Sequence, residues 1–362
     1  MRFAAAFLVF LSHAFVVEAL LRDPALIMAI YFPGLALGFT GVGFFFVLSG
    51  FVLAWSARDG DRPRSFLRRR FFKIVPNYLV AWLAGVLLAA WAGEQVGLWT
   101  NVASFFLVHS WIPGVTAING PTWSLSVEVV FYLALPWLLP LAKRIRPERL
   151  WLCAGVVAAA IVAVPFIAQL VLPSEPSFQG APMSLVQNWF VYMLPLTRGL
   201  DFVLGMLMAR IVKQGLMVRV PLSVALVVLA AGFTLQILLM PTVHSLVSPV
   251  VLPLALVVAT AAEADLRGSP SFFRHRSMVW LGQISYAFFV VHYLVLHYGH
   301  RLIGAGTTWD NTTGFLLIAG SFVATAAIAW LLHVAVERPA MRRWSRPHKQ
   351  RAAVDTPTVA TT

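Results

Sequence analysis

The sequence predicts an all-α integral membrane protein: about ten transmembrane helices in one bundle, with both termini cytoplasmic. Three observations carry that expectation. Of the 362 residues, 60% are hydrophobic and 11% charged, and the mean hydropathy of +0.82 is far above that of a soluble chain. Apolar stretches of about 20 residues, the length that crosses about 30 Å of hydrocarbon, recur from end to end. Lysine and arginine collect in alternate loops between them.

In chain order the stretches fall at roughly 2–21, 35–57, 75–93, 122–142, 149–172, 190–212, 220–240, 245–263, 278–299 and 312–335. The segment 101–112 is too short to cross and is expected to be re-entrant or interfacial. The loop after the second span carries Arg58, Arg62, Arg64, Arg68, Arg69, Arg70 and Lys73, and the loop after the fourth carries Lys143, Arg144, Arg146 and Arg149. Loops of the same parity hold Arg210, Lys213, Arg219, Arg267, Arg274 and Arg276, and the tail continues from Arg338 to Arg351; loops of the other parity hold Arg22 and Arg301. This alternation sets the expected orientation and favours an even number of spans. Residues 1–345 read as one membrane domain and 346–362 as a disordered cytoplasmic tail.

The formal charge of +13 is confined to loops between spans, which argues for orientation in the lipid bilayer and against nucleic acid as a partner. A single cysteine, Cys153, excludes an intrachain disulfide and a CxxC pair. No metal site, P-loop, GxSxG or dinucleotide fingerprint stands in a suitable context.

Ionisable groups inside spans are expensive, so they mark functional hypotheses. Arg2 and His13 are eleven residues apart; at about 100° per residue both fall on one helix face, separated by about 16 Å of rise. A neutral imidazole at that depth can accept a proton or act as a nucleophile. A signal peptide or a structurally bonded histidine are the plainer alternatives, the first weakened by an apolar run that continues to Leu21 without a cleavage site. In NGPTWSLSVEVVFYLALP, Asn119, Gly120 and Pro121 mark a helix start, placing Glu128 about two turns deep. Glu128 could orient the imidazole of His13 or make a structural hydrogen bond; Tyr132, one turn on, shares its face. The basic run FLRRRFFKIVPNYL suits a phosphate-bearing ligand or an anionic lipid headgroup. Arg198 with Asp201, Tyr286 with His292, and His333 with Glu337 read more simply as structural groups. His109, His297 and His300 are expected towards the outer surface.

Taken in order, Arg2-x10-His13, GVGFFFVLSGF, RRRFFKIVPNYL, WSLSVEVVFYLALP, RGLDFVLGMLMA, WLGQISYAFFVVH and VERP resemble the acyltransferase-3 family across nearly the whole chain. The resemblance implies a ten-helix fold that moves an acyl group, commonly acetyl, from cytoplasmic acyl-CoA to a hydroxyl of a sugar, cell-surface polysaccharide or antibiotic. It implies His13 as the catalytic residue, Glu128 as its acidic partner, and Arg2, Arg69, Arg70 and Lys73 as donor-binding groups. Acyl-CoA would be a co-substrate, with no permanently bound cofactor. Trp123, Ser124, Ser126 and Tyr132 are candidate oxyanion or substrate donors. Lys73 stands where the family usually has arginine, which weakens bidentate phosphate contact, and Gln283 follows Gly282 where arginine is more common. The family usually has a short polar lead-in before the arginine, where this sequence has Met1 alone, so the expectation is either a start upstream of this Met1 or a dispensable segment. The compact form fits members acting on small glycosylated metabolites such as macrolides. The competing class is a multi-pass transporter or flippase, since buried ionisable groups among ten spans also describe a proton-coupled carrier.

Overall fold

The computed structural model describes residues 1–57, 62–115, 117–178, 181–269, 274–304 and 306–345. Arg58 and the expected tail 346–362 lie outside the described residues. Among those described, regular structure is helical apart from two isolated bridges, Leu21 with Trp309 and Ser177 with Ser184. In chain order the α-helices are α1 (Arg2–Ser12), α2 (Pro24–Ser56), α3 (Pro63–Trp91), α4 (Leu98–Phe105), α5 (Trp123–Arg144), α6 (Leu150–Val171), α7 (Leu185–Asn188), α8 (Pro195–Lys213), α9 (Leu222–Leu238), α10 (Ser248–Leu266), α11 (Arg276–Gly304), α12 (Asn311–Leu332) and α13 (Arg338–Trp344). Eight helical segments are long and apolar enough to cross a membrane, and Arg2–Val17 and Leu222–Leu238 are shorter apolar helices. Each of the ten stretches expected from the sequence is found on one of these segments.

Boundaries differ where local chemistry overrides hydropathy. α2 starts at Pro24 rather than near 35, because Asp23 accepts from Ala25 N at 3.0 Å and Leu26 N at 3.5 Å, and Pro24 supplies a preset first helical residue. Asp310 caps α12 in the same way, at 3.1 Å from Thr312 N and 3.2 Å from Thr313 N, and Asn311 Nδ2 ties the two caps together through Asp23 Oδ2 at 3.1 Å. The segment expected to be re-entrant is α4 followed by a 3-10 turn, His109–Trp111.

α1 is the shortest way into the core. Ala5, Ala6, Val9 and Phe10 are almost wholly buried between α2 and α11, as expected of a helix apolar on every side. α2 is the central post: it packs on α1 along one face and on α8 along another. Gly50 makes the second contact possible, since a Cβ there would stand 1.9 Å from Phe202 O; Gly205 of α8 is the reciprocal, 2.1 Å from Val47 O. Small residues that let helix backbones meet are the usual means of association in lipid, where apolar burial drives nothing. Arg198 and Asp201 form the expected pair at 2.8 Å, buried in this core, with the guanidinium 5.0 Å from the Phe46 ring.

Candidate active site

α1 ends at His13, where the helix widens into a π turn, His13–Val17, closed by Glu18 N donating to His13 O at 3.0 Å. Such turns concentrate at functional sites. The half-buried imidazole of His13 bonds through Nδ1 to Val9 O at 2.8 Å. A carbonyl only accepts, so Nδ1 carries the hydrogen and, in the neutral ring, Nε2 holds the lone pair. Nε2 makes no hydrogen bond among the described residues. His292 of α11 is set in the same tautomer, Nδ1 donating to Phe289 O at 2.6 Å, and its Nε2 faces His13 Nδ1 at 3.4 Å. The Tyr293 ring lies 5.6 Å from that of His13.

On the Arg2 side of His13 a narrow cavity of about 60 Å³ gathers Arg2, Arg70, Lys73, Ser124, Glu128, Tyr132, Gln283 and Tyr286. Three of the four expected donor-binding cations therefore converge; Arg69 is not among the lining residues. Arg70 stacks over the rings of Phe66 and Tyr132 at 5.5 and 5.8 Å, and Lys73 pairs with Glu337 at 3.7 Å. Glu337 also accepts from Asn77 Nδ2 at 3.1 Å and lies 3.4 Å from His333 Nδ1, so the π turn His333–Glu337 that follows α12 helps fix the wall.

The hydrogen bond expected between Glu128 and His13 is absent among the described residues. Glu128 instead accepts from Ser49 Oγ at 3.2 Å and from the Tyr132 hydroxyl, within the cationic cavity. The physical reason is competition: Val9 O, one turn back on the same helix, is already in place to hold the imidazole, while the carboxylate is drawn to the cluster of cations and hydroxyls. The oxyanion candidates divide by helix face. Ser124, Glu128 and Tyr132 are spaced four apart and share one side; Ser126 is about 160° and Trp123 about 140° from Glu128 around the axis. Ser126 is accordingly buried against Leu107 O at 2.5 Å and Ser110 Oγ at 2.6 Å, and the Trp123 ring lies tilted against that of Tyr192 with centroids 4.7 Å apart. Neither lines the cavity.

The opposite end of the bundle holds a second polar cluster, one that inspection of single spans passed over. His297 bridges two carboxylates, Nδ1 to Glu18 Oε1 at 3.0 Å and Nε2 to Glu94 Oε1 at 3.1 Å. His300 Nδ1 lies 3.3 Å from the other oxygen of Glu18, and Glu94 also takes Tyr298 OH at 3.1 Å and Arg301 at 2.8 Å. His297 and His300 are thus engaged rather than simply exposed, and His109 is fully buried. The signal was present: Glu18 follows His13 by five residues, and Tyr293, His297 and Arg301 recur every four residues on one face of α11. Among the described residues, no group of three or more His, Cys, Asp or Glu side chains is arranged to hold a metal ion.

Residues 1–334 match the acyltransferase-3 family, described as an acyltransferase domain. The chain belongs to that family. Acyltransferase MdmB of Streptomyces mycarofaciens is 38% identical over 333 residues, 88% of this chain and 85% of that protein. Exopolysaccharide production protein ExoZ of Rhizobium meliloti is 27% identical over 327 residues, covering 85% of this chain and 90% of its own. Peptidoglycan O-acetyltransferase OatA of Listeria monocytogenes aligns at 27% identity over 162 residues, 39% of this chain and 26% of that protein. No solved structure matches. The protein is an acyltransferase, and its apolar helices fit a multi-pass membrane protein.

Proposed function

We propose that this acyltransferase works in the cell membrane as an O-acyltransferase. It moves acetyl or another short acyl group from cytoplasmic acyl-CoA to a hydroxyl of a sugar, a glycosylated metabolite such as a macrolide, or a cell-surface polysaccharide. The observation that carries this is the state of His13: Nδ1 is held by Val9 O and Nε2 is left as an unengaged base, on a segment that runs from Arg2, which lines the cationic cavity, to Glu18, which lines a polar one, His13 itself lining neither. Ten crossings with both termini cytoplasmic put Arg2, Arg70 and Lys73 at the inner surface, where the phosphates of acyl-CoA would meet them. A cavity as narrow as the one above Arg2 suits a slender thioester arm, with the nucleotide left at the mouth.

In the direct route Nε2 takes the acceptor hydroxyl proton as the oxygen attacks the thioester carbonyl. The tetrahedral oxyanion then collapses, the C–S bond breaks, and the thiolate recovers the proton from the imidazolium. In the covalent route Nε2 attacks the thioester carbonyl, the C–S bond breaks and the thiolate leaves; the acceptor hydroxyl then attacks the acyl-imidazolium carbonyl, its proton passes to the thiolate, and the C–N bond breaks to free the imidazole. Ser124 and Tyr132 are the oxyanion donors best placed by helix face, each by turning its one hydroxyl hydrogen from its resting acceptor, Pro121 O and Glu128, to the oxyanion.

Purified protein in nanodiscs, given acetyl-CoA and a panel of methyl glycosides and glycosylated macrolides, is expected to release CoA thiol and yield acceptors heavier by the acyl increment. His13→Ala is expected to lower that rate by at least about 10²-fold with the thermal unfolding profile retained. Unchanged thiol release in this variant would remove His13 from the chemistry. A carrier would move acceptor into sealed vesicles without any acyl donor.

A further inference from the structure

Two cavities open at the Glu18 end, of about 340 and 420 Å³, and both are walled by Tyr293 and His297. Each falls within the size range of a small-molecule site. We propose that together they form the acceptor subsite, recognising the neutral, hydroxyl-rich sugar ring that receives the acyl group; this rests on the acyl-transfer function above.

The charge balance selects the ligand class. Both nitrogens of His297 face carboxylate oxygens, and an ionised carboxylate only accepts, so the ring can donate to both only in its imidazolium form. In that form, with Arg301, it offsets Glu18 and Glu94, and His300, whose nitrogens lie against Glu18 Oε2 at 3.3 Å and Thr307 O at 2.9 Å, adds a further donor, so the vestibule holds no excess negative charge to attract a cation. The carboxylates nevertheless keep acceptor capacity. Glu18 uses one contact per oxygen, to His297 and His300, where each oxygen can accept two. Sugar hydroxyls are donors of the required kind, Gln95 and Thr100 on the wall of the larger cavity add neutral polar groups, and Tyr293 supplies an aromatic face.

Placement supplies the link to the chemistry. Glu18 lies one π turn beyond His13 on the same chain segment, and the Tyr293 ring stacks on His297 at 5.5 Å while lying 5.6 Å from His13. A hydroxyl on a sugar seated here reaches His13 from the side opposite Arg2, so donor and acceptor do not compete for one entrance.

The test is steady-state acyl transfer in nanodiscs with acetyl-CoA and three acceptor probes: a neutral methyl glycoside or glycosylated macrolide, an amino-sugar glycoside and a uronic-acid glycoside. Wild type is expected to prefer the neutral acceptor. Glu18→Gln and His297→Gln are expected to raise the acceptor KM at least about tenfold, a shift equivalent to about 1.4 kcal/mol, while the acetyl-CoA KM stays within about twofold. Thr100→Trp, which fills the larger cavity and removes none of the ion-paired groups, should do the same and covers the case in which the charge variants fold poorly. If wild type transfers acyl groups but the acceptor KM is unmoved in all three variants, or moves only together with the acetyl-CoA KM, the subsite is overturned alone. If wild type releases no thiol with any acceptor, the acyl-transfer function falls and the subsite with it.

Discussion

His109 illustrates what burial does to one side chain. It lies in the 3-10 turn after α4 with no exposed surface, and burial pushes its imidazole down to about 4, against a smaller opposing pull from the backbone of Ala103 and Thr122. The unfolded ring titrates near 6.5, so between about pH 6.5 and 4 the unfolded chain holds a proton that the folded chain lacks. Stability from this residue is therefore complete above the unfolded value and lost as pH falls through that window. In detergent, the Tm of wild type should drop on going from about pH 7.5 to about 5, and His109→Gln should flatten part of that drop; equal pH slopes would show that His109 contributes nothing. Its place between two apolar stretches is plain from the sequence, but its burial is not, because the covering groups come from the start of α5. Ser124 and Ser126 teach the converse lesson, since counting about 100° per residue from Glu128 already separates the cavity-facing hydroxyl from the one bonded to Leu107.

At the scale of elements, the α2–α8 crossing depends on backbone contact rather than on side-chain volume. An alanine at 50 would place its Cβ against Phe202 O, a rigid backbone atom that cannot swing away. Gly50→Ala is expected to destabilise by about 1–3 kcal/mol, or more if the helices must separate, read as a fall in Tm and in folded yield. Gly155→Ala on α6, where nothing lies within 4 Å of the added carbon, should leave both unchanged or slightly improved. Equal behaviour of the two variants would show that the crossing is looser than described. The π turn after α1 is the other decisive element. Closed by Glu18 N donating to His13 O, it sets Glu18 one wide turn beyond His13, so the segment that carries the histidine also carries a carboxylate of the second polar cluster.

Across the whole molecule, charge is sorted by end. Arg2, Arg70 and Lys73 converge at one, while the carboxylates of Glu18 and Glu94 are matched by His297 and Arg301 at the other. Salt shortens the reach of exposed charge from about 10 Å at 0.1 M to about 3 Å at 1 M. The KM for acetyl-CoA, a polyanion, should therefore rise several-fold as salt is raised from about 0.05 to about 0.5 M, whereas the KM for a neutral glycoside should barely move. Parallel salt dependence of both constants would mean that the cationic cavity does not receive the donor. Between Arg2 of the one region and Glu18 of the other lies His13, with His292 and Tyr293 of α11 packed against it, which makes this short stretch the junction we assign to the chemistry.

The sequence by itself determined the helical class, the positions of the apolar segments, the alternation of basic loops and the family to which the chain belongs. Those features are local or additive: hydropathy sums along a window, and a motif is read in order. It also singled out His13 and the cations around it, since an ionisable group in an apolar run is visible without knowing its neighbours. Partnership was decided by tertiary structure alone. Glu128 and His13 are far apart in sequence, and nothing local says that Val9 O holds the imidazole while Ser49 and Tyr132 hold the carboxylate. Glu18, Glu94 and His297 come from three separate segments, so their cluster exists only once α1, the loop after α3, and α11 are packed together. Hydrogen bonds are short-ranged and directional, and which of them form depends on distances that only the folded chain sets.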